Sequence, residues 1–280
     1  MLNYVVASED ILKFETYLRE AEKRENTISK YLRDVRFFFV YLSGQIITKE
    51  VVIEYKQSLI DSGKYTVSSI NSMIASVNSF LKFIGLGRFT VKSLKMQKKI
   101  YCDEQKELSK AEYRRLIEAS EGQPRLQLII KTICSTGIRV SELKYFTVEN
   151  VRLGEVNVEC KNKLRSVMIP QKLKQMLLAY AKKHHIDKGI IFRTRSGKPV
   201  NRSNIWAAMK SLCKKANVNP EKVFPHNLRK LFARTFYSME KDIAKLADIL
   251  GHSNINTTRI YLISSGKEHR ARIERLGLVI

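Results

Sequence analysis

The assignment of this chain to a fold depends on the segment Leu250-Gly-His-Ser-Asn-Ile-Asn-Thr-Thr-Arg-Ile-Tyr261. Its Leu-Gly pair is typical of a helix end, because glycine adopts the left-handed conformation that closes helices. The Ser and Asn that follow are residue types that cap the start of a helix, and we expect that next helix to run through Tyr261. The segment therefore places an imidazole, His252, nine positions before a phenol.

Two shorter segments upstream supply the cations that such a phenol would need. They are Ser135-Thr-Gly-Ile-Arg-Val-Ser-Glu-Leu143 and Pro225-His-Asn-Leu-Arg229. Two guanidinium groups can clamp one phosphate, imidazoles can move or donate protons, and a phenol hydroxyl can attack phosphorus. The combination indicates phosphoryl transfer by a protein nucleophile.

Local spacing supports this interpretation. Arg139 follows a Thr-Gly turn that can start a helix, so it is expected at a helix N-terminus, with Glu142 one turn away as an ionic partner. His226 and Arg229 are three residues apart on a helix predicted to begin after Pro225, and they therefore share one face. An ordinary surface ion pair would show the same Arg-Glu spacing, so the functional interpretation depends on the complete set of residues in the three segments.

Residues 155–170 change from helical to strand periodicity. Apolar Val156, Val158 and Cys160 alternate with polar residues, and a second run extends from Leu164 to Ile169. This pattern predicts a β-hairpin, with Lys161-Asn-Lys163 at its tip. A tip lysine is mobile enough to reach a neighbouring site.

In this order the segments resemble the tyrosine recombinase family, also called phage integrases, whose signature is Arg, a hairpin Lys, His-x-x-Arg, His or Trp, and Tyr. The resemblance covers roughly the last 170 residues strongly and extends more weakly to nearly the whole chain. It implies a mainly α fold with a small β-sheet. An N-terminal helical DNA core-binding domain would precede an α+β catalytic domain.

The resemblance carries six catalytic roles over to this sequence. The residues are Arg139, Lys161, His226, Arg229, His252 and Tyr261. The hairpin departs from the usual pattern by one deleted residue, so Lys161 is assigned as general acid and Lys163 remains an alternative. A second departure is Lys230, where relatives often have His, and it leaves the mechanism intact.

Composition indicates the same partner independently. The chain has 51 Lys and Arg against 27 Asp and Glu, a formal net charge of +24 on 280 residues. A field of that sign concentrates polyanions and favours double-stranded DNA. The four cysteines lack metal-ligand spacing, no apolar run could span a bilayer, and no signal peptide is evident, so we expect a cytoplasmic protein without metal or cofactor.

The N-terminal part predicts a small all-helical domain over residues 1–90. Four blocks of helical periodicity lie between Ser8 and Ile84, with a capping residue expected at Thr27. Polar faces of the second and fourth blocks are candidates for DNA contact: Lys30, Arg33, Arg36, Ser68, Ser69, Asn71, Ser72 and Ser76. A basic linker is expected over residues 91–106. A Ser109-x-x-Glu112 capping box then opens the catalytic domain, residues 107–280.

The mechanism inferred is attack of Tyr261 on a DNA phosphodiester, giving a 3′-phosphotyrosine and a free 5′ hydroxyl. The resemblance implies four protomers exchanging strands on paired sites, with a monomer or weak dimer off DNA and an apolar C-terminal tail that packs in trans or in cis. Two alternatives stay open, a type IB topoisomerase-like enzyme and a non-catalytic DNA-binding regulator. The target sequence, accessory proteins and biological role, as phage, transposon or dimer-resolution enzyme, also remain open.

Overall fold

The computed structural model describes residues 8–95, 104–160, 163–262, 270–271 and 273–276. The chain divides into two compact units, Met1–Lys98 and Lys99–Ile280. Among the helices in these ranges, none is both long and apolar enough to cross a membrane.

The first unit is built of helices, as its periodicity predicts. They are α1 (Ser8–Glu20), α2 (Glu25–Leu42), α3 (Lys49–Asp61) and α4 (Val67–Phe83), followed by a 3-10 turn (Gly87–Phe89). Thr48 and Thr66 cap α3 and α4 through their side chains. The cap expected at Thr27 is wrong, because α2 already begins at Glu25.

The core of the first unit is aromatic, and one polar cluster lies within it. Phe14 and Phe80 pack edge to face with ring centroids 5.3 Å apart, and both are fully buried. Asp34 is also buried, and it pairs with Lys30 Nζ at 2.7 Å and accepts a hydrogen bond from Ser76 Oγ at 3.0 Å. The hydrogen bonds of Asp34 and Lys30 to Ser76 tie α2 to α4.

That cluster changes the expected polar face of the first unit. Ser76 is fully buried and Lys30 is held by Asp34, so neither is displayed as an exposed side chain. Arg33, Arg36, Ser68, Ser69 and Ser72 are exposed. They remain the candidates for phosphate contact on this unit.

The first residues of the expected linker belong to the first unit. Asn78 and Asn71 of α4 donate side-chain hydrogen bonds to the carbonyls of Val91 and Leu94, at 2.8 and 3.0 Å. Val91 is buried. Residues 96–103, the middle of the expected linker, lie outside the described residues.

The second unit combines helices with one hairpin. Its helices are α5 (Lys110–Ala119), α6 (Pro124–Thr136), α7 (Val148–Leu153), α8 (Gln171–Lys183), α9 (Arg202–Ser211), α10 (Cys213–Ala216), α11 (Pro225–Glu240), α12 (Ile243–Leu250) and α13 (Ile255–Arg259), and its strands are β1 (Glu155–Cys160) and β2 (Lys163–Met168). The Ser109 capping box at the start of α5 is confirmed. Helices α6 and α11 pack together through the core.

The predicted hairpin is present, and the residues of β2 turn alternately to solvent and to the interior. The strands are antiparallel, and Val158 pairs with Arg165 and Val156 with Val167. Leu164 and Met168 point to solvent, 79% and 75% exposed, while Arg165 and Val167 turn inward. An arginine thus takes the inner face of β2, towards the site described next.

Candidate active site

Arg229 is a buried cation at the start of α11. Its side chain is among the largest fully buried ones in the described residues. One terminal nitrogen donates to the carbonyl of Gly137 at 2.5 Å, and the other donates to the carbonyl of Leu250 at 2.6 Å. Burial lowers the pKa of Arg229 to about 10, and the charge of Arg139 adds to this effect. The guanidinium therefore stays protonated at neutral pH and joins three parts of the chain.

His252 completes this arrangement, and its hydrogen bonds specify its tautomer. Nε2 lies 3.0 Å from a terminal nitrogen of Arg229, and Nδ1 lies 2.9 Å from Thr258 Oγ1. A guanidinium has no acceptor, so Nε2 accepts and the proton lies on Nδ1, donating to the threonine hydroxyl. Burial is the main cause that lowers the pKa of His252 to about 4, and the charges of Arg229 and other nearby cations contribute to the same shift. His252 is therefore neutral at pH 7.

Arg139 lies at the N-terminal cap of a short 3-10 helix, Val140–Tyr145, which follows Gly137 in the left-handed conformation. As the sequence predicts, its guanidinium pairs with Glu142, at 2.9 Å. The same carboxylate accepts from the Arg139 backbone N–H at 2.7 Å. Glu142 is buried, whereas the Arg139 side chain is 34% exposed. This geometry holds the guanidinium at the edge of a cleft.

Arg165 is a participant that the sequence argument missed. Its guanidinium pairs with Glu142 at 2.6 Å and also donates to the carbonyl of Ile249. Glu142 therefore lies between two arginines, one on β2 and one beside the cleft. The alternation of β2 contains the signal, since a residue two positions before buried Val167 shares its inner face. The hairpin is thereby linked to the turn that carries His252.

Tyr261 follows α13 rather than belonging to it. The helix ends at Arg259, and the Tyr261 N–H bonds to the Thr258 carbonyl at 2.9 Å, so the expectation of a helix through this residue is wrong by two positions. The side chain is 7% exposed and packs against Ala233, Leu246 and Leu250. A tight final turn brings the phenol ring back onto the site.

Both imidazoles contact that phenol ring edge-on. The ring centroid of Tyr261 is 5.2 Å from that of His226 and 5.4 Å from that of His252. Burial lowers the pKa of His226 below its ordinary value, and the charges of Lys230 and Arg229 lower it further. A neutral imidazole at neutral pH has a free acceptor nitrogen and can serve as a proton acceptor.

A cleft of about 540 Å³ brings these residues together. Arg139, His226, Arg229 and Tyr261 line it, and His252 lies behind it against Arg229 and Tyr261. Four further residues line the same cleft without being part of any expected motif: Arg202, Ser203, Trp206 and Phe224. Five of the six expected side chains are thus neighbours in space, although they lie far apart along the chain.

The sixth expected side chain, Lys161, lies outside the described residues. Strands β1 and β2 pair up to Cys160 opposite Lys163. The Lys163 side chain is likewise not described. Among the described residues, no three His, Cys, Asp or Glu side chains group as metal ligands would.

Gly251→Ala is expected to destabilise the protein more than Gly122→Ala. Both glycines have positive φ, 65° and 87°, so both variants suffer left-handed strain of about 1–2 kcal/mol. An added Cβ at Gly251 would lie 2.5 Å from Arg165 Cδ, whereas at Gly122 it would meet nothing within 4 Å. Overpacking of this kind adds about 1–3 kcal/mol. Urea unfolding measures both free energies, and equal losses would contradict the close packing at Gly251.

Two family descriptions match this chain. Residues 106–268 match the phage integrase family, and residues 11–85 match the N-terminal SAM-like domain of phage integrases. The first match covers the cleft and the hairpin. The second covers the four helices of the first unit.

Similar proteins agree with these matches. The tyrosine recombinase XerA of Pyrococcus furiosus is 27% identical, over 100% of this chain and 98% of the relative. The tyrosine recombinase XerD of Staphylococcus aureus is 30% identical, over 88% of this chain and 92% of the relative. A lambda integrase tetramer bound to a Holliday junction has a TM-score of 0.72 at 19% identity, covering 92% of this chain and 78% of that one. That last likeness concerns the fold.

Proposed function

The chain belongs to the phage integrase family, the tyrosine recombinases, and on that premise we propose that it cuts and rejoins DNA through a 3′-phosphotyrosine on Tyr261. The observation that supports the proposal best is the convergence on one cleft of two guanidiniums, an imidazole and a phenol. Site-specific recombination is the outcome that this chemistry serves.

Cationic surroundings make Tyr261 a competent nucleophile. A phenol must lose its proton as it attacks phosphorus, so a nearby proton acceptor and nearby cations favour the attack. Arg139 and Arg229 would bind the two non-bridging oxygens of the phosphate and stabilise the extra negative charge that develops on phosphorus during attack. These side chains are already held in place, Arg139 by Glu142 and Arg229 by two carbonyls and His252. Little reorganisation is then needed at the moment of reaction.

Each proton has an acceptor or a donor in this scheme. The Tyr261 oxygen bonds to phosphorus, and its proton passes to neutral His226, whose ring lies against the phenol. The bond from phosphorus to the 5′ oxygen breaks, and Lys161 protonates that leaving oxygen, with Lys163 as the alternative donor. His252 orients Arg229 rather than moving a proton, since its Nε2 lone pair is occupied by the guanidinium.

Rejoining reverses these steps with a different strand. The 5′ hydroxyl of a partner duplex attacks the phosphotyrosine and expels Tyr261, so the bond energy is conserved and no nucleotide cofactor or metal is consumed. Double-stranded DNA is the partner, in keeping with a net charge of +24. We propose four protomers on paired sites, the arrangement that the lambda integrase tetramer takes on a Holliday junction. Ile273 and Leu276 lie in the tail expected to pack in trans or in cis, and both side chains are exposed.

The decisive experiment traps the covalent intermediate. Nicked duplexes made from the flanks of the gene's genomic location lose the short fragment that carries the new 5′ hydroxyl after cleavage. Ligation back is then prevented, so a detergent-resistant complex accumulates if the proposal holds. Peptide mapping should locate the DNA on Tyr261, and the complex should form in the presence of EDTA.

The other outcomes separate the competing functions. DNA cleavage that leaves no covalent complex and stops in EDTA would indicate a metal-dependent nuclease. Relaxation of supercoiled DNA without exchange between two sites would indicate a topoisomerase. Tight binding without any covalent complex would indicate a regulator. The nuclease and regulator results would overturn the proposed chemistry, and the topoisomerase result would overturn the proposed site-specific recombination.

A further inference from the structure

Trp206 is an exposed aromatic side chain that lines the cleft, and it has no role in the proposed phosphate chemistry. It is 49% exposed and is the single tryptophan of the chain. The buried stripe of α9 runs through Ile205 and Met209, so Trp206 is not needed to attach the helix to the core. The indole lines the same cleft as Arg139 and Arg229 and is half exposed, so its aromatic face is available to a ligand bound there.

The surroundings of Trp206 specify the chemistry of that ligand. Arg202 lies one turn earlier on the same face of α9, and Ser203 also lines the cleft. Lys210 Nζ lies 5.3 Å from the ring centroid. An aromatic plane flanked by cations and a hydroxyl matches a nucleotide, whose base is flat and apolar and whose phosphates are anionic.

The size of the cleft fits one nucleotide extending from the arginines to the tryptophan. Its volume of about 540 Å³ lies within the 300–1,000 Å³ that pockets for small ligands occupy. Arg139, Arg229 and Trp206 line the same cavity. A nucleotide whose phosphate is bound by the two arginines would therefore lie in the same cleft as the indole.

We propose that Trp206 is a stacking site for an unpaired nucleobase next to the phosphate held by Arg139 and Arg229. The inference rests on the proposed strand exchange, since a base can leave the duplex stack most easily in the strand that cleavage releases. Stacking on the indole holds that strand in the cleft while its 5′ hydroxyl awaits ligation. No bond is made or broken at Trp206, which is a positioning residue.

The single tryptophan makes the site directly observable. The intrinsic fluorescence of the full-length protein is titrated with a twelve-nucleotide oligothymidylate and with an abasic chain of the same length and charge. We expect quenching by the first and little change with the second. Labelled-oligonucleotide anisotropy should show about tenfold weaker binding of the abasic chain, a typical effect of one lost base–aromatic stack.

Variants test whether Trp206 is the source of this preference. Trp206→Ala should bind both oligonucleotides equally, Trp206→Phe should keep most of the preference, and Leu153→Ala, which removes an exposed apolar side chain away from the cleft, should behave as wild type. Binding of oligothymidylate without quenching, or a preference that survives in Trp206→Ala, would overturn the inference. The wild-type titration stands even where a variant fails to fold.

The covalent-complex assay distinguishes this failure from failure of the proposed function. If a covalent complex forms on Tyr261 but binding shows no base preference at Trp206, the stacking proposal alone is overturned. Base preference without any covalent complex removes the recombinase proposal and leaves a nucleobase-binding cleft.

Discussion

We expect Tyr261→Phe to abolish the covalent protein–DNA complex while leaving the fold intact. Removing a nucleophile costs about a thousandfold or more in rate, because the remaining groups can bind the phosphate but cannot attack it. The phenylalanine ring would keep the packing against Ala233, Leu246 and Leu250. Stability should therefore change by no more than about 1 kcal/mol. Complex formation on nicked duplexes and thermal unfolding measure the two quantities.

Tyr237→Phe is the matched control. Tyr237 is partly buried against the same apolar cluster, yet it does not line the cleft. The same single oxygen is removed, so any general effect of losing a hydroxyl there would appear in both variants. A full yield of complex in Tyr261→Phe, or an equal loss in Tyr237→Phe, would show that another group attacks the phosphate.

Arg229→Ala is expected to combine a large loss of stability with a large loss of activity. It leaves the carbonyls of Gly137 and Leu250 and the Nε2 of His252 without their donor in a buried region. Breaking a buried charged network in this way costs about 3–5 kcal/mol. Cleavage should also fall by about a hundredfold or more, since a preorganised donor to the phosphate is lost. Arg229→Lys keeps the positive charge but lacks the forked guanidinium, so it should recover only part of the lost stability and part of the lost cleavage activity.

Arg234→Ala on the same helix provides the comparison. Arg234 pairs with Glu107 at 3.5 Å, donates to the carbonyl of Leu108 at 2.8 Å and is 32% exposed, so its removal should cost only about 1–2 kcal/mol. Urea unfolding compares the two variants. Equal losses would mean that burial of Arg229 contributes nothing beyond a surface arginine.

The pKa of the His252 imidazole should also change in Arg229→Ala. Burial is the main cause that lowers its pKa, and the charge of Arg229 is the next. Removing that charge should move the pKa of His252 upward from about 4 towards its ordinary value of about 6.5. The rise is measured by NMR titration of the ring protons, and an unchanged pKa would contradict the contact between the two side chains.

The local part of the site follows from sequence patterns that depend on neighbouring residues. Pro225 at the first position of α11, the left-handed Gly251 after α12 and the pairing of Arg139 with Glu142 are all as expected. Each depends on spacing within one turn, where covalent geometry leaves few conformations. The helix expected at Arg139 is a 3-10 helix instead, and α13 stops before Tyr261.

Residues without a motif escaped prediction because their roles depend on distant partners. Arg165 meets Glu142 from 23 positions away, and Ser76 meets Asp34 from 42 positions away. No periodicity within β2 or α4 identifies such partners. Trp206 enters the cleft only because α9 packs in a particular orientation, which its own sequence does not specify.

By itself, the sequence determined the family, the helical first unit, the hairpin and the identity of the candidate nucleophile, because residue types at fixed short spacings encode these features. Only the tertiary structure decided which partners each cationic side chain contacts. It buries Arg229 against three acceptors, which leaves His252 neutral with its proton on Nδ1, and it places Glu142 between Arg139 and Arg165. The physical reason is that desolvation and charge–charge energies depend on distances across the fold, and those distances exist only once the chain has packed.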